Sequence, residues 1–152
     1  MQHLLILHIT PFTDSSLFKC CLLNAQSIVN KLAELHHVMY HDACDCICIT
    51  ESWLHPSISD GVIDPKREYS IVRKDRIGTK GGGVCILVKR SFSVVPLQLD
   101  TKYAALEVTG VEFICLRPKL QLFVVYRPPY YDMEASLHLN AAPAHSTHNP
   151  FH

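Results

Sequence analysis

The stretch Leu17-Phe18-Lys19-Cys20-Cys21-Leu22-Leu23-Asn24-Ala25-Gln26-Ser27, followed by Asp45-Cys46-Ile47-Cys48-Ile49-Thr50-Glu51, decides how this chain folds. Residues 17–23 form an apolar run of strand length, and residues 24–27 then supply polar, capping-type side chains. After Ser27, a plausible N-cap, the residues Ile28, Leu32, Leu35 and Met39 recur at helical spacing, while Asn30, Lys31, Glu34 and His37 are left for water. This predicts an amphipathic helix of about three turns. Residues 45–50 form a second short apolar run of the buried-strand kind. Strand, helix, strand is a βαβ unit, whose right-handed crossover makes the two strands parallel. Their C-terminal ends then share one edge of the sheet, the edge where α/β proteins build sites.

Two oxygen-bearing residues fall on that edge. Asn24 ends the first strand and Glu51 lies just past the second. On neighbouring strands, roughly 4.8 Å apart, an amide oxygen and a carboxylate can share one hard cation. The plainer alternative is a turn asparagine and a solvated glutamate.

Working outward, residues 56–65 are rich in Pro, Ser, Asp and Gly and read as an irregular connection. Strands joined by short turns follow. Residues 69–73 and 82–88 are expected to pair, 92–95 to form a strand stopping at Pro96, and 104–108, 111–116 and 120–126 to form three more, the last two joined by a tight turn at Arg117-Pro118-Lys119. Gly81-Gly82-Gly83 lacks the P-loop pattern and is read as permitting a close approach at a strand start. Glu107, alone in a strand, is expected to be the ion-pair partner of a basic neighbour, and Trp53 to pack at the sheet edge rather than stack on a base.

Composition sets the bounds. The 152 residues, 48% hydrophobic and 18% charged, suit one domain with a core rather than two domains or a disordered chain. No apolar run approaches the roughly 20 residues of a membrane helix. Leu4-Leu5-Ile6-Leu7 has no preceding Lys or Arg and no cleavage site after it, which disfavours a secretory signal. Among the seven cysteines, Cys44, Cys46 and Cys48 have period-two spacing that sets them on one strand face. Lacking CxxC spacing, they read as small buried hydrophobes of a reduced, intracellular protein, nuclear or cytoplasmic. The histidines, His36, His37 and His41 included, read as surface residues. Net charge is zero, but residues 66–90 carry eight basic and two acidic side chains, +6, against −5 for residues 1–65 and −1 for the remainder. An acidic part beside a basic one suits a site that holds a cation and a phosphate together.

The wording around these residues adds a resemblance. Leu23-Asn24-Ala25-Gln26-Ser27-Ile28 with Asn30-Lys31-Leu32 and Glu34-Leu35 opens it, and Asp45 to Leu54, containing Thr50-Glu51-Ser52-Trp53-Leu54, continues it. Tyr69, Arg73-Lys74-Asp75-Arg76, Gly81-Gly82-Gly83-Val84 and Val125-Tyr126-Arg127-Pro128-Pro129 follow in order. Over about residues 20–130 this resembles the N-terminal part of the endonuclease domain of non-LTR retrotransposons, within the endonuclease/exonuclease/phosphatase superfamily. Ser52 stands where that family usually has threonine, and Gln26 where it usually has a basic residue.

The resemblance implies an α/β fold, the N-terminal part of a four-layer α/β sandwich of two mixed sheets flanked by helices, with the second half largely missing. Residues 1–16 would be an N-terminal extension, 17–130 the partial domain and 131–152 a disordered tail. It implies a magnesium-dependent DNA endonuclease, with manganese as a substitute, in which Glu51 binds the metal, Asn24 helps bind metal or phosphate, and Tyr126 donates to a phosphate oxygen. Arg73, Lys74, Arg76, Lys80 and Arg127 would contact DNA, chiefly its backbone phosphates. The family's GDFN-like and Ser-Asp-His elements do not occur among the 152 residues, so catalysis is expected to be impaired, and full-length relatives would carry the rest of the domain or a reverse transcriptase module. An uncovered apolar sheet face is then expected, prone to aggregation or in need of a partner. The competing readings are a non-catalytic remnant with weak DNA binding and a phosphatase or phosphodiesterase of the same fold.

Overall fold

The computed structural model describes residues 2–3, 18–104, 106–114 and 119–127. Eight strands form two sheets among these residues: β1 (Gln2–His3), β2 (Cys20–Asn24), β3 (Cys46–Thr50), β4 (Tyr69–Lys74) and β5 (Val84–Lys89) in the order β1-β2-β3-β5-β4, and β6 (Val94–Pro96), β7 (Glu107–Phe113) and β8 (Leu120–Tyr126) in the order β6-β7-β8. β2 and β3 are parallel neighbours, with Asn24 opposite Thr50, and every other pairing is antiparallel. The βαβ reading therefore holds, down to the shared edge. Its crossover runs through a 3-10 turn (Val29–Lys31), helix α1 (Leu32–His36) and a π turn (His37–His41). The N-cap position of the 3-10 turn is Ile28 rather than Ser27, although the Ser27 Oγ, one residue earlier, accepts from the backbone N–H of Asn30 at 3.4 Å.

Alternation along the strands divides the core in two. Cys21, Ile47, Ile49, Cys85 and Leu87 face the helical layer, where Ile28, Leu35, Val38, Met39 and Ile63 cover them. Cys20, Cys46, Cys48, Val84, Ile86 and Val88 face the second sheet and meet Val111, Phe113 and Val124. Phe18, Phe92 and Phe113 close one end in edge-to-face contacts, with ring centroids 5.3 to 6.2 Å apart. The layers are thus helices, mixed sheet, antiparallel sheet: an α/β arrangement weighted toward β. The helical side is fastened by Asp64, which is 3% exposed. It accepts from the Tyr40 hydroxyl at 2.6 Å and from the Tyr69 N–H at 2.7 Å, and a second short helix, α2 (Asp60–Ile63), leads into it.

Three further expectations are corrected. Residues 104–108 and 111–116 are not separate strands but one, β7, because Gly110 sits inside it under the Phe123 ring, where a Cβ would come within 2.7 Å of Phe123 Cδ1. A glycine that reads as punctuation here serves close approach. Of residues 1–16, read as an N-terminal extension, Gln2–His3 are described and pair as β1 with the edge of β2. Cys44 does not share a face with Cys46 and Cys48: the strand begins only at Cys46, Ala43 takes φ +53°, and Cys44 turns to the helical side, where it forms a disulfide with Cys21. His36 is half-buried rather than a surface residue, bonded to the Ile63 carbonyl at 3.0 Å. The turn at residues 117–119, apart from Lys119, and the tail from 131 onward lie outside the described residues.

The outer face of the second sheet carries exposed apolar side chains beside a polar group of Glu112, Lys119 and Gln121. Val95, Phe123 and Val125 are 42%, 46% and 39% exposed. The face expected to be left bare was that of the first sheet; it is covered on both sides, by the helical layer and by β7 and β8.

Candidate functional site

Past the ends of β2 and β3, the chain is sewn together by its own backbone. Ala25 N–H donates to Thr50 O, Ser27 N–H to Glu51 O and Ile28 N–H to Ser52 O, while Ser52 and Trp53 N–H groups donate to Gly83 and Gly82 carbonyls, all between 2.9 and 3.1 Å. Three loops are locked side by side. They hold the backbone in costly conformations: Gln26, Ser27, Glu51 and Trp53 all have positive φ, between 45° and 90°, as do Gly81, Gly82 and Gly83. Non-glycine residues in this region cost of the order of 1–2 kcal/mol each, and clusters of them mark sites whose geometry is held for use.

The product of this geometry is the Glu51 carboxylate. Its Oε1 accepts from the Tyr126 hydroxyl in a very short contact, and its Oε2 accepts from Trp53 Nε1 at 2.6 Å and from the Gly82 N–H at 3.0 Å. Both lone pairs of Oε2 are used and one on Oε1 remains, so the group can offer a cation a single lone pair. Asn24 is exposed on the next strand, and by alternation it shares the Cys20 face that looks toward the second sheet. Glu51, Asn24 and Tyr126, the three expected site residues, therefore gather at one edge. All three offer oxygen, the donor type a hard divalent ion takes, so the residues present fit magnesium.

Beside Glu51 lies a second carboxylate. Glu107, opposite Tyr126 in the β7–β8 register, accepts from the Gly83 N–H at 2.9 Å and pairs with the Arg76 guanidinium in a very short contact. The expected ion pair of Glu107 is present, and its partner is one of the residues assigned to DNA. The Arg76 guanidinium occupies the space a Cβ on Gly82 would need, and a Cβ on Gly83 would fall 2.6 Å from Ser52 Oγ. The glycine run thus serves close approach, as its sequence suggested.

The basic residues divide. The sequence reading set Arg73, Lys74, Arg76 and Lys80 on a DNA-facing loop, but β4 runs through Lys74 and three of the four turn inward. Arg73 lies 3.2 Å from Asp60 and 3.3 Å from Asp75 and donates to the Ile58 carbonyl at 2.9 Å. Lys74 donates to the Ala104 and Leu106 carbonyls at 2.8 and 2.6 Å, and burial lowers its pKa. Arg76 is taken by Glu107. Lys80 and Arg127 are exposed, and Lys80 stands 5.7 Å over the Trp53 ring.

Trp53, Gly82 and Glu107 were not read as site residues, and Arg76 was read as a DNA contact rather than as the partner of Glu107. Period-two spacing does not explain the Trp53 contact, because Glu51 and Trp53 both have positive φ and the chain there is not extended. Contacts of Glu51 with residues 31 and 75 positions away have no local signal.

Two further groups of metal-type ligands occur among the described residues. Cys20, Cys46 and Cys48 cluster in the dry core between the sheets, where hydrogen bonding with Cys20 and burial raise the Cys48 thiol to about 12. His37, His41 and Asp42 are exposed, the two rings stacked at 4.3 Å. No described helix is long and apolar enough to cross a membrane.

No protein-family model matches the chain, and no curated protein matches it either.

Proposed function

We propose that this chain carries the N-terminal part of a magnesium-dependent DNA endonuclease of the retrotransposon type, from the endonuclease/exonuclease/phosphatase superfamily. The observation that carries the reading is the Glu51 carboxylate, held by Tyr126, Trp53 and Gly82 at the end of a parallel strand pair, with Asn24 one strand away. Glu51 and Asn24 would hold the ion, which when bound supplies charge neutralisation at a phosphoryl oxygen. Tyr126 donates its hydroxyl to Glu51 Oε1 and so fixes the orientation of the carboxylate. Trp53 and the Gly82 N–H hold the opposite oxygen.

The finer architecture belongs to the same proposal. The three layers described above are the first part of a four-layer sandwich, and the open face bearing Phe123 and Val125 is where the remaining helical layer would pack. DNA would be met by Lys80 and Arg127, the exposed members of the expected basic set, rather than by Arg73, Lys74 and Arg76. The GDFN-like and Ser-Asp-His elements, which would orient water and complete catalysis, are not in these 152 residues. Removing members of such a unit typically costs about 10³-fold or more, so this chain nicks DNA slowly or not at all.

Calorimetric titration with Mn²⁺ tests the metal reading. Saturable binding by the wild-type chain, abolished in Glu51→Gln, is expected; no binding, or equal binding by the variant, refutes it. Nicking of supercoiled plasmid that persists in a chelator would overturn the nuclease reading independently.

A further inference from the structure

Two carboxylates from different sheets are tied to consecutive backbone amides. The Gly82 N–H donates to Glu51 Oε2 at 3.0 Å and the Gly83 N–H to Glu107 Oε2 at 2.9 Å. Glu51 lies just past the end of β3 in the first sheet, whereas Glu107 opens β7 of the second. Both glycines have φ in the left-handed region, +67° and +81°, so the two amides can point at different partners only while this turn is held open.

What holds it is the Arg76–Glu107 pair. The guanidinium lies flat on Gly82 and its Nε meets Glu107 Oε1, so the glycine turn is gripped from above by Arg76 and from the second sheet by Glu107. Side-chain exposures of 25% for Arg76 and 11% for Glu107 leave little solvent to screen the pair. The same β7 residue lies opposite Tyr126, which donates to the other oxygen of Glu51. Glu107 thus sits behind Gly82 and Tyr126, two of the three groups that orient Glu51.

We propose that Glu107 and Arg76 form a positioning pair that sets the orientation of the Glu51 carboxylate through the Gly82–Gly83 backbone. Only the identity of what Glu51 holds rests on the function proposed above; the positioning itself does not. Arginine is suited to the task because its planar fork can lie on a glycine and reach a carboxylate, which a lysine ammonium cannot do.

The chain contains one tryptophan, Trp53, and its indole N–H is bonded to Glu51. Its fluorescence therefore reports the Glu51 geometry directly, without metal, DNA or turnover. In Glu107→Gln, which keeps shape and removes charge, we expect the emission maximum and acrylamide quenching of metal-free protein to move toward those of Glu51→Gln, with far-ultraviolet circular dichroism unchanged. Mn²⁺ affinity should fall about tenfold or more, the range for partners one step removed from a ligand. Arg76→Lys should give the same displacement, and it carries the test if Glu107→Gln does not fold. Wild-type Trp53 emission and quenching in both folded variants would overturn the proposal. A shifted Trp53 signal in a protein that binds no Mn²⁺ at all would uphold the positioning pair and remove the metal reading.

Discussion

Replacing Gly82 by alanine tests whether the site is built on close approach. Gly82 is buried with φ +67°, and a Cβ there would overlap the Arg76 guanidinium. Two costs follow. The left-handed conformation costs an alanine about 1–2 kcal/mol. Moving Arg76 aside also breaks a charge-assisted pair with Glu107, worth about 1.5–3 kcal/mol for hydrogen bonds to charged groups. The total is about 3–5 kcal/mol, a large share of the roughly 5–15 kcal/mol of a typical domain. Gly78 supplies the control: its φ is +84°, yet nothing lies within 4 Å of the Cβ position, so Gly78→Ala bears only the conformational cost. Urea denaturation of both variants, with m-values checked for constancy, isolates the Arg76 contribution as their difference, expected at about 2 kcal/mol. Equal stabilities for the two variants would refute the reasoning.

Asp64→Ala removes the acceptor of the Tyr40 hydroxyl and leaves the buried Tyr69 N–H without its partner; a loss of about 3 kcal/mol is expected in the same assay, with Tyr40→Phe costing less. Burial and then the Asp64 hydrogen bond raise the Tyr40 pKa from 10.0 to about 12. The folded state thus holds this proton more tightly than the unfolded one, so the contribution is complete below pH 10 and is lost as pH rises toward 12, which denaturation midpoints across that window will show as a falling slope. Cys20, Cys46, Cys48 and Cys85 are buried, and burial holds the Cys85 thiol far above its usual range; a water-soluble disulfide reagent should leave all four unmodified in the native protein and modify them in denaturant. Val125→Lys places a charge on the open sheet face, and light scattering on concentrated samples should report less self-association than in wild type.

The βαβ unit was readable because its signals are local: an apolar run, a polar stretch, helical spacing, a second apolar run. Register followed from parallelism, and with it the meeting of Asn24 and Glu51. The β4–β5 hairpin was readable for the same reason. Errors arose where a residue type has two uses. Gly110 was read as a break and is a seat for Phe123; Arg73, Lys74 and Arg76 were read by charge alone, although Arg73 is taken up by Asp60, Asp75 and the Ile58 carbonyl, and Lys74 and Arg76 by carbonyls just before, and a carboxylate at, the start of β7. Cys44 was misassigned because period two was extended past the first residue of β3 into a turn with positive φ at Ala43. The carboxylate at the centre was found from its place on an edge, but the indole, the amide and the hydroxyl that hold it come from loops and a strand up to 75 residues distant.

The order of layers along the chain has a consequence for synthesis. All of the helical layer and β2 to β5 are written by Lys89, whereas β8, which completes the second sheet, ends at Tyr126, 37 residues later (126 − 89). At the usual pace of about 5–20 residues per second, that is a delay of roughly 2–7 seconds. During it, the face carrying Cys20, Cys46, Cys48, Val84, Ile86 and Val88 has left the ribosome's shelter without its cover. A nascent chain of this sequence therefore presents a sticky, thiol-rich sheet to its surroundings, and its yield on expression should depend on chaperone supply more than on the stability of the finished fold.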